Sequence, residues 1–210
     1  MDLDQLSEFL KTRASHRKYR PDSIPEAIIR RLIDCARHAP SGHNLQPWRF
    51  VAITDRELIQ TLSEAVNAQY SQAIADVPED AKRKYEHYRF YVTHFKDAPL
   101  LFVILATQST YITSDLETKY GIDLPTVKHL KMDMLGVGAV VQNLLLAAHA
   151  EGLGACWMTD PITYAQQQIE ALIPVPEGYH AVSLVSVGKP TKERQGPPKK
   201  DVDELLIIES

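Results

Sequence analysis

Three short segments carry residue types that could do chemistry. The first, Arg13-Ala14-Ser15-His16-Arg17, sets two guanidiniums and a hydroxyl within one stretch of chain. Arginine forks pair with two phosphate oxygens at once, and serine adds a donor. The second is Ala39-Pro40-Ser41-Gly42-His43-Asn44-Leu45-Gln46-Pro47-Trp48. Two prolines stiffen it, Gly42 permits tight geometry, and Ser41, Asn44 and Gln46 offer donors and acceptors, so it could grip a planar heterocycle by its edge. The third places Gln142-Asn143-Leu144 in an apolar run and follows it with Gly152-Leu153-Gly154-Ala155-Cys156-Trp157. Amides in an apolar helix need partners, and glycines leave backbone N–H groups free to face a ligand. Each segment alone has a blander explanation: a solvated basic turn, a helix-to-strand connection, and amides bonded to nearby loops.

The elements that must hold these segments are legible in the apolar pattern. Leu3, Leu6, Phe9 and Leu10 recur at helical spacing. Ser23 with Glu26 forms a capping-box pattern before the stripe Ile28, Ile29, Leu32, Ile33 and Ala36, and Pro40 closes that helix. Residues 48–53 alternate as a strand, and Asp55 can cap a helix carrying Leu58, Leu62, Ala65 and Val66. Residues 69–96 read as partly helical and only partly buried. Residues 100–106 form the continuous aliphatic run of a central strand, and 107–125 a long loop. Residues 132–150 are apolar nearly all round, as in a core helix, with Gly152 placed as its terminal glycine. Residues 155–158 and 179–187 read as strands, and Thr163 with Gln166 as another cap. The tail after Gly188, rich in proline and glycine, reads as an arm ending in the apolar residues Leu205, Leu206, Ile207 and Ile208.

Bulk properties narrow the function classes. A net charge of −4 argues against general nucleic-acid binding, which needs a positive surface. The longest apolar run, residues 98–106, is too short for a membrane helix, and residues 1–13 lack the pattern of a signal peptide. Cys35 and Cys156 lie far apart without CxxC spacing, which fits a reducing, cytoplasmic setting. Gly136-Val137-Gly138 sits inside a helical run and is not a dinucleotide fingerprint. His87 and His94 share a helix face without a third metal ligand nearby, and there is no GxSxG element.

Taken together and in order, the segments resemble the nitroreductase family of FMN-dependent oxidoreductases. The shared elements are Arg-x-Ser-x-Arg, the Ala-Pro-Ser-x-x-Asn-x-Gln-Pro-Trp loop, and the Gln-Asn-Leu helix leading to Gly-Leu-Gly-x-x-Trp. Gly188-Lys189-Pro190 and a basic tail at Lys199-Lys200 complete the set. The resemblance implies an α+β fold, with a central mixed, mostly antiparallel sheet flanked by helices. It implies one domain across residues 1–210 and an intertwined homodimer in which residues 189–210 form a swapped C-terminal arm.

The resemblance also implies FMN as cofactor, with Arg13, Ser15 and Arg17 on its phosphate, ribityl chain and pyrimidine edge. Pro40, Ser41 and Asn44 would reach the flavin held mainly by the other subunit. Gln142 and the backbone at Gly152, Leu153 and Gly154 would join the cofactor set, the latter near N5. Lys200 would complete the phosphate site, with Lys199 and Arg194 as alternatives. The flavin carries the redox chemistry, so no side chain is cast as nucleophile or acid–base. The implied reaction is ping-pong transfer from NADH or NADPH to nitroaromatics, quinones or similar small-molecule acceptors. Dehalogenation, enone reduction, oxygen-dependent flavin fragmentation and FMN binding without turnover stay open on the same fold. Residues 85–91 and 111–120 would line the open flavin face, with Tyr111, Glu117, Lys119 and Tyr120 as lid candidates.

Overall fold

A computed structural model describes residues 2–107, 116, 119–122 and 132–209. Four strands form one sheet in the order β1-β2-β4-β3: β1 is Trp48–Ile53, β2 Leu100–Thr107, β3 Gly154–Met158 and β4 Tyr179–Gly188. Every ladder in it is antiparallel. The parallel component is a bridge from Ser15 to Ala155 on the outer edge of β3. The expected α+β class with a mostly antiparallel sheet is therefore what the chain forms.

The sheet is covered on both faces, which explains the unbroken aliphatic run of β2. Successive side chains on a strand point to opposite faces. Leu100, Phe102, Ile104 and Ala106 meet helices α2 (Glu26–Ala36) and α5 (Met132–Ala150). Leu101, Val103 and Leu105 meet α3 (Arg56–Ala73), α4 (Glu79–Thr93) and α6 (Asp160–Leu172). A single strand thus serves two cores, and each residue is buried by construction.

Helix starts follow local chemistry, with two corrections to the pattern. Helix α1 (Leu3–Thr12) opens on a full capping box between Asp2 and Gln5, and Asp55 accepts from the N–H groups of Glu57 and Leu58 at α3. The Ser23–Glu26 box does not form. Pro25 is the N-cap, with φ −61° and ψ 144°, and it starts the helix directly at Glu26. Likewise Thr163 and Gln166 cap nothing, because α6 already begins at Asp160 with a proline in its first turn. Gln166 instead donates to the Ala181 carbonyl at 2.8 Å, and Glu170 accepts from Ala181 N–H at 2.7 Å. These bonds serve β4 where its register with β2 shifts between Ile104 and Leu105.

Gly152 ends α5 as expected. Its φ is +72°, its N–H bonds to His149 O, and the N–H of Leu153 bonds to Ala148 O. This reciprocal pair is a Schellman turn, which glycine closes without strain. One feature of α5 differs from the pattern: Leu135 and Gln142 are exposed, so the helix is not buried all round. The tail past Gly188 contains one short helical turn, Val202–Glu204, and then leaves Ile207 94% exposed. No helix among the described residues is long and apolar enough to cross a membrane.

Candidate functional site

The chain leaves α1 at Arg13, whose extended backbone (φ −67°, ψ 129°) stops the helix. It then runs along the outer edge of β3. Ser15 pairs with Ala155, the N–H of His16 donates to Ala155 O at 3.0 Å, and Ala14 is buried. Further on, Tyr19 pins the segment to β4 through its hydroxyl, which reaches Ser186 Oγ at 2.8 Å and also the His16 carbonyl. The backbone is thus anchored at both ends, and Arg13, Ser15 and Arg17 hang from a fixed edge.

Among the described residues none of Arg13, Arg17 and Arg194 has a carboxylate partner, whereas Arg30, Arg31, Arg37 and Arg89 all do. The unpaired cations converge. Burial holds the His16 imidazole below its usual range, and the charges of Arg194, His149 and Arg13 add to that. Burial pushes the Cys156 thiol up, against the pull of Arg17, Ser15, Arg13 and Arg194. The tail also passes Arg13, since a Cβ on Gly196 would lie 3.7 Å from its carbonyl oxygen. Arg194, exposed like Lys199 and Lys200, is the tail cation whose charge acts at this cluster. A shallow, open cavity lies alongside, lined by Arg13, Ala14, Leu145, His149, Leu153 and Ala155.

The glycine segment supports this edge by close packing. Gly154 admits the His16 side chain against its backbone, and Leu153 lines the cavity. On the far side, the Arg17 guanidinium lies 5.4 Å from the centre of the Tyr91 ring on α4, a cation–π contact. Tyr91 neighbours Tyr88, and the Tyr88 hydroxyl donates to Asp160 at 2.6 Å. That bond is the main reason its phenol is pushed up to about 12. Behind Phe90, His94 is buried with neither ring nitrogen bonded among the described residues, and burial lowers it to about 4. Of residues 85–91, Tyr91 thus borders the Arg17 end of the site. Of the lid candidates, Lys119 and Tyr120 are exposed, and Tyr111 and Glu117 lie outside the described residues.

The proline loop is elsewhere. Gly42–Asn44 makes one tight turn, with His43, Asn44 and Gln46 all at φ between 48° and 55°. Such left-handed non-glycine residues cost on the order of 1 kcal/mol each and gather at ligand clamps. Ser41 Oγ accepts from Gln46 N–H at 3.0 Å and holds the shape. The loop docks on the start of α5, where a Cβ on Gly136 would meet Trp48, Pro40 and Ser41 within 3.9 Å. His149, beside Arg13, is near the other end of α5. Gly136 and His149 are 13 positions apart, about 20 Å along the helix axis at ~1.5 Å per residue. One chain therefore does not bring Pro40, Ser41 and Asn44 to Arg13, Ser15 and Arg17. Gln142 lies between the two regions on α5, exposed.

His16 lies within the first motif and Tyr91 within the residues 85–91 expected at the flavin face, whereas sequence reasoning missed His149, which meets Arg13 only through a contact distant along the chain.

Residues 10–189 match the Nitroreductase family. A 5,6-dimethylbenzimidazole synthase from Rhodospirillum rubrum is 29% identical over 196 residues, spanning 92% of this chain and 86% of that protein. A BluB-like flavoprotein from Clostridium difficile superposes with a TM-score of 0.87 at 26% identity, covering 100% of both chains. A nitroreductase with bound FMN from Bacteroides fragilis superposes with a TM-score of 0.71 at 18% identity, covering 98% of this chain and 99% of that one, and shares the fold.

Proposed function

Since the chain belongs to the nitroreductase family and is accordingly an oxidoreductase, we propose that it works as a homodimer holding FMN at each subunit seam and passes electrons from NADH or NADPH to electron-poor small molecules such as nitroaromatics and quinones. The observation that carries this reading is the cluster of unneutralised guanidiniums at Arg13, Arg17 and Arg194 on a rigid sheet edge. A donor set of this kind suits a phosphate monoester and the polar edge of a heterocycle, and so fits FMN.

In this reading Arg13 and Arg194 bind the phosphate, with Lys200 as the other tail candidate. Ser15 donates to the ribityl chain. Arg17, held over Tyr91, sits at the pyrimidine edge and favours negative charge there on reduction. Gly152, Leu153 and Gly154 set the backbone that flanks the ring, with Gln142 as a further contact. Pro40, Ser41 and Asn44 act on the partner's cofactor, as the spacing along α5 favours. The outer edge of β1 is free among the described residues, and the exposed residues 205–208 suit pairing there on a second copy. Bound FMN supplies the electron-transfer chemistry, in a ping-pong sequence. The free thiols Cys35 and Cys156 suit a reducing, cytoplasmic setting.

The purified protein is expected to be yellow and to bleach anaerobically with NADH or NADPH. A colourless protein that takes up no added FMN would sink the proposal. A second reading, oxygen-dependent fragmentation of the flavin, is favoured by the 29% identity to a 5,6-dimethylbenzimidazole synthase, because that product carries a dimethylated benzene ring such as the isoalloxazine of FMN contains. Re-aeration after bleaching separates the two: returning colour supports the reductase, and lasting loss of flavin absorbance supports fragmentation.

A further inference from the structure

His149 stands at the end of α5 where Arg13 meets the cavity, and its hydrogen bonding fixes its tautomer. Thr12 has one hydroxyl proton, which it donates to the Phe9 carbonyl at 2.9 Å. The same hydroxyl oxygen is 2.9 Å from His149 Nε2. The oxygen must therefore accept there, so Nε2 carries the proton. In the neutral ring Nδ1 is then a bare lone pair, and among the described residues it makes no hydrogen bond. The ring also lies against Phe9, with centroids 5.0 Å apart and the planes tilted by 37°. His149 and Arg13 line the same shallow cavity, so an anion resting at its mouth meets both groups.

A neutral Nδ1 would repel phosphate oxygen, whereas a protonated one would donate to it. Burial and the Arg13 charge keep the imidazole below its ordinary range. A dianion between the two cations reverses the electrostatic part of that balance. The C-terminal end of α5 favours the same protonated form. The other charged or titratable groups here are His16 on the following segment, Arg194 on the tail, and Glu151, which faces Arg31. Lys11 on α1 is engaged by Glu8.

We propose that His149 is a phosphate ligand of the cofactor site that binds as the imidazolium through Nδ1, so that FMN is taken up together with a proton whereas riboflavin is not. This rests on FMN being the cofactor. The test is calorimetry of both flavins binding to the flavin-free dimer at about pH 7.5 in two buffers of different ionisation enthalpy. Free FMN phosphate is then already dianionic, its second pKa being near 6. Uptake of a substantial fraction of a proton is expected with FMN and none with riboflavin. In His149→Gln, which keeps an N–H for Thr12 and cannot be charged, the uptake should vanish. FMN binding should weaken about 5- to 20-fold, and riboflavin binding should stay within about twofold. In His16→Gln the uptake should persist.

Wild type that binds FMN without taking up a proton overturns the proposal and leaves the cofactor assignment standing. Uptake that survives in His149→Gln, or is lost in His16→Gln, also overturns it, as does equal weakening of both flavins. Wild type that binds neither flavin overturns the cofactor assignment, and this proposal with it.

Discussion

The side chain of His16 lies directly on the backbone of Gly154: a Cβ there would stand 2.7 Å from both Cβ and Cγ of His16. Gly154→Ala must therefore push His16 outward and loosen the 3.0 Å bond from its N–H to Ala155 O. Such overpacking costs about 1–3 kcal/mol. The expected outcome in urea unfolding is a loss of that size, together with weaker FMN binding as Arg13 and Arg17 lose their frame. Gly152→Ala is the control. It has φ +72° but open space around a Cβ, so its defect is local backbone strain of about 1–2 kcal/mol with little effect on FMN. Equal FMN affinity in both variants would argue that the sheet edge does not organise the site.

The three guanidiniums should separate by ligand. Removing a charged hydrogen bond costs about 1.5–3 kcal/mol, or about 10- to 150-fold in Kd. Arg13→Ala and Arg194→Ala should show that loss for FMN and little for riboflavin, while Arg17→Ala should weaken both flavins. Lys200→Ala should have a smaller effect than Arg194→Ala, because Arg194 is the tail residue whose charge acts at His16 and Cys156. Fluorescence titration of flavin-free protein checks this, and a larger loss from Lys200→Ala would reassign the tail contact.

How far the sequence reached depended on whether a feature was local. Strand β1 was legible to the residue, since alternation, Pro47 before it and the Asp55 cap after it act within a few positions. Helix α5 and its glycine stop at Gly152 were read from the same kind of signal. The two misplaced caps both trace to a proline: Pro25 is the extended N-cap and bars helix from the residue before it, leaving Ser23 outside, while Pro161 fixes φ within the first turn of α6, leaving Thr163 inside. Within the site, the motif residues are where a fixed edge or a clamped loop holds them. The partners that give them electrostatic meaning, Arg194 near His16, Tyr91 over Arg17 and His149 beside Arg13, arise only when distant segments pack. Composition has no means of marking them.

The distance between the proline loop and the arginine edge makes a prediction about mixed dimers. If each seam combines Arg13 of one chain with Asn44 of the other, Arg13→Ala and Asn44→Ala homodimers are each defective at both sites. A heterodimer of the two carries both lesions at one seam and none at the other. Co-expression with two tags should yield a mixed dimer that retains about half of the wild-type FMN with near-normal affinity. A heterodimer no better than either parent would show that each chain completes its own site.

Buried His94 sets the direction of an acid sensitivity. Its folded pKa is about 4 against 6.5 for the free side chain, mainly through burial, with the Arg17 charge adding. Below about pH 6.5 the unfolded chain therefore binds a proton that the folded one refuses, and folding stability falls as pH falls. The loss develops between about pH 6.5 and pH 4 and amounts to on the order of 2–3 kcal/mol. His94→Phe keeps a ring against Phe90 and removes the titration, as well as two ring nitrogens that have no partner among the described residues. Urea unfolding of both proteins across that range should show curves that diverge on acidification, with the variant retaining more stability. Parallel curves would mean that His94 is solvated or bonded in the folded protein, and its burial beside Arg17 would no longer account for acid sensitivity.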